Sequence, residues 1–590
     1  MKKLKLLSLF IAFALLLSAC SSSSGGSKKK TAEKVDTSLF PQTVKNDKEI
    51  IEDGTLNYGL VTNTPFEGTL DYAFYQGAYD AEILQFFSEP LFSYNADHEM
   101  TNDGPATFEL SDDWKTITIK ISDKLKWHDG QPVTAEDYEY SFLVIGHPDY
   151  KGVRYDALME NIVGMAEYHA GKADKISGIE VLDEHTLRIQ FKQSNPSLLT
   201  GLWPYAMPKH YLGDVPVKDL AKSDKIRTKP IGYGPFKVKN IVPGESVEFE
   251  RFDDYWKGKP KLKTVIVKVV DPSVVLESLK KGEIDIAYGF PTTMYPDAKK
   301  LKNVQYLGRI ENAYTYIGFK LGHWDAKKNE AVMDNPKFQD VRLRQAMAYA
   351  IDNKTVAERF YHGLREPATT LIPKFFKTWH NDKVKGYNYD PEKAKQLLDE
   401  AGYKDVDGDG FREDPNGKKF VINFASMSGS DVAEPLAKFY IQNWKDVGLN
   451  VQLTNGRLIE FNSFYDMVEK DDPNIDIYQA AWGTGTDVDP WGLYSKKAPF
   501  NYSRFVDEEN ERLLEEGHSE KALDKEYRKK IYDQWQEYMA EKVPVIPTLY
   551  RYELWPVNNR VKNFTIEWGK NSFMWSDVGV TSDKPEVAKE

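Results

Sequence analysis

The 590-residue chain contains one cysteine, Cys20, which rules out an intrachain disulfide and any multi-cysteine metal site. Its ten histidines are never closer than sixteen positions apart, so no helix carries the paired His ligands of a zinc protease. Neither a G-x-S-x-G elbow nor a P-loop occurs. With no catalytic constellation in view, the expectation is a binding protein rather than an enzyme, with no required cofactor. A basic excess is also missing: 78 Lys plus Arg stand against 90 Asp plus Glu, a net charge of −12, and nucleic acid is not an expected partner. The one long apolar run lies behind Lys2, Lys3 and Lys5 and is too short for a membrane-spanning helix.

A charged start, a short apolar stretch and the small residues Ser18 and Ala19 before Cys20 read as a secretory signal. The segment resembles a bacterial lipoprotein signal. That resemblance implies cleavage before Cys20, which becomes a lipid-modified amino terminus holding the protein to the extracellular face of the cell membrane. Residues 1–19 are then the signal, and its removal takes the charge from −12 to −15. Residues 20–49, opening on a serine-rich run and Lys28 to Lys30, read as a flexible tether. Without disulfides in an oxidising exterior, the body must be held by core burial, for which more than five hundred remaining residues suffice.

What is abundant is aromatic: 13 Trp, 34 Tyr and 30 Phe suit large cores, and also pockets that accept varied side chains. From Leu56 to Phe319 the chain reads as sheet-rich α+β, with alternation in Lys115 to Ile121 and Thr186 to Phe191. Between them Thr134 and Asp137 form a capping-box signal for a helix starting at Ala135. After Asn335, helices and strands alternate. Asp390-Pro391-Glu392 opens a helix with apolar Ala394, Leu397, Leu398 and Ala401, closed by Gly402. Strands are predicted over 420–425, 450–454 and 476–482, with helices over 433–447 and 461–468. Such alternation predicts a mostly parallel sheet flanked by helices, an α/β class, whose ligands sit beyond the carboxyl ends of the strands.

Two acidic loops stand out. Gly483 to Pro490 combines glycines with Asp487 and Asp489, which suits a cationic ligand group; it also suits a turn whose aspartates cap the next element. Asp405, Asp407 and Asp409, then the backbone at Phe411, then Glu413 and Asp414, alternate around glycines in the manner of a structural calcium loop. Position twelve would be Asn416 rather than glutamate, so a solvated acidic turn is the alternative.

Several stretches resemble one family, the peptide-binding lipoproteins of ABC import systems (extracellular solute-binding proteins of family 5, the peptide and nickel type). They are Trp127-His128-Asp129-Gly130 continuing to Tyr138, with Ser141; Pro230-Ile231-Gly232-Tyr233-Gly234-Pro235-Phe236; Asp254-Tyr255-Trp256 continuing to Pro260; Val341 through Asp352; and the Trp482 to Pro490 loop. Each is weakly specific, but the ordered set spans essentially the whole mature chain.

The resemblance implies a two-lobed periplasmic-binding-protein-like fold with a hinge between the lobes and an extra subdomain in the first. Lobe I is placed at 50–325, with the subdomain at about 95–215, lobe II at 326–549, and a return to lobe I at 550–590. It further implies oligopeptides held by their main chain in the interlobe cleft, with an aspartate receiving the free amine. Asp487 fits that role best and Asp489 is a lesser candidate. Trp482 is expected in the core or pocket wall, and Gly483 can present backbone groups. Partners would be an ABC permease with its ATPases, and the protein itself a monomer. Other readings are a signalling-peptide receptor, a binder of nickel chelates or glycosides on the same fold, or a surface adhesin or folding helper. An extracellular hydrolase is disfavoured for want of catalytic residues.

Overall fold

The two longest strands organise the molecule. In the computed structural model, which describes residues 35–96 and 98–589, Val304–Phe319 runs antiparallel to Val545–Asn558. Cys20, the signal and the first part of the expected tether lie outside the described residues. At one end Val304 to Ile310 oppose Asn558 to Tyr552; at the other Tyr314 to Gly318 oppose Tyr550 to Val545. Between Ile310 and Tyr314 the register shifts, so Glu311, Asn312 and Ala313 bulge where the chain passes from one half of the protein to the other.

Each half joins this pair through an antiparallel contact and then continues with strands that are parallel to one another next to it. On one side Val304–Phe319 is followed outward by Ile477–Gly483, Val421–Ala425 and Asn450–Leu453. On the other, Val545–Asn558 is followed by Ile286–Tyr288, Gly54–Val61, Leu262–Val270, Ser246–Arg251 and Phe236–Val242. The result is one eleven-stranded mixed sheet, completed by Arg365–Pro367 against Val545–Asn558. The parallel unit of Val421–Ala425, Asn450–Leu453 and Ile477–Gly483 is the one expected from the alternating pattern, whereas the parallel pairing of Gly54–Val61 with Leu262–Val270 and Ile286–Tyr288 lies in the half read only as sheet-rich α+β. The long antiparallel pair that fuses them was not legible locally, because its partners are more than two hundred residues apart in sequence.

The cores follow the same division. Tyr314 to Tyr550 supplies one, around Phe424, Trp444 and Trp535; a second unites Leu56, Tyr58 and Val265 with Val561, Phe564, Trp575 and Val578. Burial of this kind contributes about 25 cal/mol per Å² of apolar surface, and here it works without disulfide assistance. A third core, from Ala73 to Tyr233, packs a separate four-stranded antiparallel sheet of Ala106–Leu110, Thr116–Ile121, Thr186–Gln190 and Ile179–Asp183 under the helix Ala135–Gly146. This packing reaches beyond the 95–215 limits set for the extra subdomain.

Local signals act as their chemistry requires. Thr134 N–H donates to Asp137 Oδ2 at 2.9 Å and Asp137 N–H to Thr134 Oγ1 at 3.3 Å, closing the capping box. Asp390 caps Pro391–Glu400, and Gly402 follows at φ 88°. The end of the expected tether is a correction: residues 35–49 are not free. Val44 is buried and its N–H donates to the Phe564 carbonyl, while Ile566 N–H donates to that of Gln42. Alternating polar residues hid this edge contact from a reading based on apolar periodicity.

The family-like motifs have structural duties. Trp127 Nε1 donates to Asp137 Oδ2 at 3.0 Å, and the buried His128 ring is bound at Nδ1 by Gly232 N–H and at Nε2 by the Gly234 carbonyl. Burial drives the His128 pKa down to about 3, so it is a neutral packing residue. Arg344 closes the carboxyl end of Lys525–Lys542 by donating to the Lys542 and Val543 carbonyls.

Candidate functional site

Where the two halves face each other lies a cavity of about 1500 Å³, lined from both sides and floored by the strand bulge at Glu311 and Asn312. That exceeds the roughly 300–1,000 Å³ usual for a drug-sized ligand. Aromatic side chains dominate the walls. Tyr72 stacks on Tyr205 at 3.6 Å on the first-lobe side; Trp482 lies 5.3 Å from both Phe500 and Tyr502 on the other. Trp482 is thus a half-buried wall residue in an aromatic cluster.

One wall is an open strand edge. Ile477–Gly483 pairs with Val304–Phe319 along its whole length, from Ile477 opposite Phe319 to Gly483 opposite Ala313. On its other side Val421–Ala425 pairs only as far as Ala425 with Tyr478, then turns away so that Met427 bridges Ile459. Gln479 to Gly483 therefore face the cavity with an edge free of strand pairing among the described residues; the Tyr465 hydroxyl donates to the Ala481 carbonyl at 3.4 Å, and Ser426 Oγ donates to the Gln479 side chain at 3.2 Å. Gly483, exposed at the end of that edge, can offer backbone groups.

The loop beyond Gly483 is fixed by both halves. Thr484 N–H donates to the Asn312 carbonyl at 3.1 Å, and Asn312 Nδ2 donates to the carbonyl of Gly485, whose φ of 67° suits glycine. Thr486 Oγ1 donates across the cleft to the Thr200 carbonyl at 2.8 Å. Asp487 Oδ1 accepts from Asp489 N–H at 3.2 Å and lies 3.7 Å from Arg528 Nη2. Asp489 Oδ1 accepts from Trp491 N–H, and its Oδ2 lies 3.4 Å from His518 Nδ1. The side chain of Asp487 keeps 23% of its surface open, that of Asp489 10%. Both line the cavity, but Asp489 is spent on His518 and a cap, leaving Asp487 the more available acid.

Their electrostatics separate them as well. Burial raises the Asp487 pKa, opposed by Arg528 and aided by the Asp489 charge. Burial pushes Asp489 the same way, but the hydrogen bond and charge of His518, with Arg528, outweigh it and hold Asp489 below the usual range. His518 is correspondingly raised: burial disfavours its charge, and Asp489 more than compensates.

Sequence reasoning missed three lining groups. Asp156 caps Ala157–Glu160 through Met159 N–H, and burial, with the Asp487 charge, pushes its carboxyl up to about 6. Glu82 accepts from the Tyr58 hydroxyl at 2.9 Å and is raised to about 7, chiefly by burial. Arg365 stands on the short strand beside Val545–Asn558. The sequence signal at Asp156 is only that of a cap; Glu82 and Arg365 are placed by tertiary folding.

The acidic turn is assembled in part. One oxygen each from Asp405, Asp407 and Glu413 lie within 4.8 Å of one another, with Glu413 buried. Asp409 and Asp414 fall outside that group: Asp409 accepts from Phe411 N–H and pairs with Lys419 at 3.1 Å, and Asp414 accepts from Asn416 and Lys418 N–H. The Phe411 ring lies 5.9 Å from Lys445 Nζ, so its side chain packs outside the acid group.

Two lobes sharing a long strand pair, with a large, aromatic, strand-edged cavity between them, define a two-lobed solute-binding protein. A family profile described as "Bacterial extracellular solute-binding proteins, family 5 Middle" matches residues 102–504, and the chain belongs to that family. It is similar to the oligopeptide-binding protein OppA of Lactococcus lactis subsp. lactis (strain IL1403), 38% identical over 505 residues and 84% of each chain. It is also similar to oligopeptide-binding protein AppA of Bacillus subtilis (strain 168), 30% identical over 448 residues and 75% of each. Among solved structures, lactococcal OppA complexed with an endogenous peptide in the closed conformation superposes with a TM-score of 0.86 at 35% identity, covering 89% of this chain and all of that one.

Proposed function

We propose that this protein captures oligopeptides outside the cell and delivers them to an ABC permease whose ATPases drive import, while Cys20 carries its lipid anchor. The observation that carries the reading is the unpaired edge of Gln479 to Gly483 facing the cavity. An extended peptide adds to such an edge by main-chain hydrogen bonds, which are blind to sequence, while aromatic walls accept its side chains. Asp487 is the acid assigned to the peptide amine, with Trp482 as wall and Gly483 as backbone contact. The names of the relatives, oligopeptide-binding proteins, point to the same cargo class. No described helix is long and apolar enough to cross a membrane. Native mass spectrometry of gently purified protein tests the reading: retained short peptides support it, and retained sugars or metal chelates overturn it.

The turn at Asp405, Asp407 and Glu413 is proposed as a structural calcium site, with Asp409, the Phe411 backbone and Asp414 as its outer members. What supports it is the convergence of three acid oxygens, one from the buried Glu413, with the exposed Lys419 close to them, 3.5 Å from Asp407.

A further inference from the structure

Among the three arginines lining the cavity, Arg365 differs in that its guanidinium has neither a carboxylate nor a carbonyl as partner. Arg551 donates to Glu311 through Nε and Nη2, and Arg154 donates to the Tyr72 and Tyr75 carbonyls. Outside the lining, but on the same strand pair, Arg309 is bound to Glu553. The guanidinium of Arg365 makes no hydrogen bond and no ion pair among the described residues; its one partner is the ring of Tyr361, 3.7 Å beneath it. Its register neighbour is Arg551, so two like charges stand side by side on adjacent strands, and the carboxylate of Glu311 is bound by Arg551.

Such an arrangement is unfavourable in isolation. Directly opposed like charges destabilise a strand pair, and a guanidinium withdrawn from water without an anion is costly. The Tyr361 face offsets only part of this, about 0.5–2 kcal/mol for a cation over a ring. Burial, with Arg551 nearby, lowers the Arg365 pKa, consistent with a cation short of negative charge. Arginine's planar fork matches a carboxylate in two parallel hydrogen bonds, the geometry that would complete the site.

We propose that Arg365 is the seat for a carboxylate of the bound peptide, donated by the peptide's carboxyl terminus or by an acidic side chain. This rests on the oligopeptide reading above. It also gives the cavity a charged feature of opposite sign to Asp487, so that cargo is ranked by its acidic groups as well as gripped by its main chain.

The test uses the full chain and three forms of one nonapeptide of alanine, leucine and glycine: free acid, carboxyl-terminal amide, and amide with one internal glutamate. Wild-type protein is expected to bind the plain amide about tenfold more weakly than at least one carboxylate form. The form that recovers affinity identifies the source. Arg365→Gln should abolish that preference while leaving the plain amide's affinity within twofold, and Arg365→Lys should retain a reduced preference. Equal weakening of all three peptides by Arg365→Gln, with its melting temperature lowered, makes Arg365 a packing residue and overturns the proposal. So does a wild-type protein indifferent to carboxylates, which leaves peptide capture standing. Binding of none of the three removes the peptide reading and this proposal together.

Discussion

Asp487 shares Arg528 with the opposite side of the cleft: its Oδ1 lies 3.7 Å from the Nη2 that donates to Ser197 Oγ at 2.9 Å. The acid assigned to a peptide's amine is thus already oriented by a buried cation, and that cation is tied to the first-lobe side of the seam. Arg528 keeps the carboxylate in place and lowers the cost of burying it, and Asp489 is neutralised separately by His518.

Replacing Asp487 by Asn is expected to weaken peptides with a free amine by about tenfold or more, the equivalent of a charge-assisted contact of about 1.5–3 kcal/mol. Peptides with an acetylated amine should lose little. Titration calorimetry with one peptide in both forms decides the matter, and equal losses would take Asp487 out of the amine site.

How much of this was readable in advance depends on distance along the chain. The helix at Ala135, the helix at Pro391 and the strand before Gly483 follow from caps and periodicity within a dozen residues, and the structure has them at those places. The ranking of Asp487 over Asp489 came from a resemblance; the geometry adds a reason, because Asp489 is engaged by His518, twenty-nine positions on. The open edge of Gln479 to Gly483 had no local signature, since it exists only because Val421–Ala425 turns away after Ala425. Arg365 was silent for a related reason: a missing partner is a property of the folded surroundings, not of the sequence.

Thr486 should govern closure rather than recognition. Its hydroxyl bond to the Thr200 carbonyl crosses the cleft beside the site loop, so Thr486→Val removes one bond that exists only when the halves meet. A hydrogen bond of this kind contributes about 0.5–1.5 kcal/mol, and affinity for all peptides should fall by roughly threefold to tenfold irrespective of their termini. Small-angle scattering should show a larger radius of gyration for the liganded variant than for liganded wild type. A loss confined to one peptide terminus would place Thr486 in recognition instead.

The Asp489–His518 pair gives stability a defined pH window. His518 is raised in the folded protein, so its contribution is fully present below its ordinary value of 6.5 and is lost as pH rises through the folded value. Asp489 is lowered, so its contribution is present above 3.8 and lost as pH falls through its folded value. Between those limits the pair is charged on both sides. His518→Gln should therefore destabilise the protein most near pH 5 to 6 and progressively less toward pH 9, as followed by thermal unfolding. A deficit constant across that range would show that the ion pair contributes nothing.

Calcium should act on the acidic turn through the same competition that shapes it now. Lys419 Nζ lies 3.5 Å from Asp407 and 3.1 Å from Asp409, supplying positive charge where Asp405, Asp407 and Glu413 converge. If the turn takes calcium, the ion displaces this exposed lysine, and ligand binding to the folded state raises the melting temperature by mass action. Lys419→Met should then strengthen the calcium effect, because it removes the rival cation, and Asp405→Asn should abolish it. Glu413→Gln is the less informative variant, since Glu413 Oε2 also accepts from Val406 N–H at 2.8 Å and its loss would loosen the turn with or without an ion. Calorimetry showing no heat with calcium, together with melting unchanged by chelator in wild type and in Lys419→Met, would leave the turn as a lysine-neutralised acidic loop held by its own backbone hydrogen bonds.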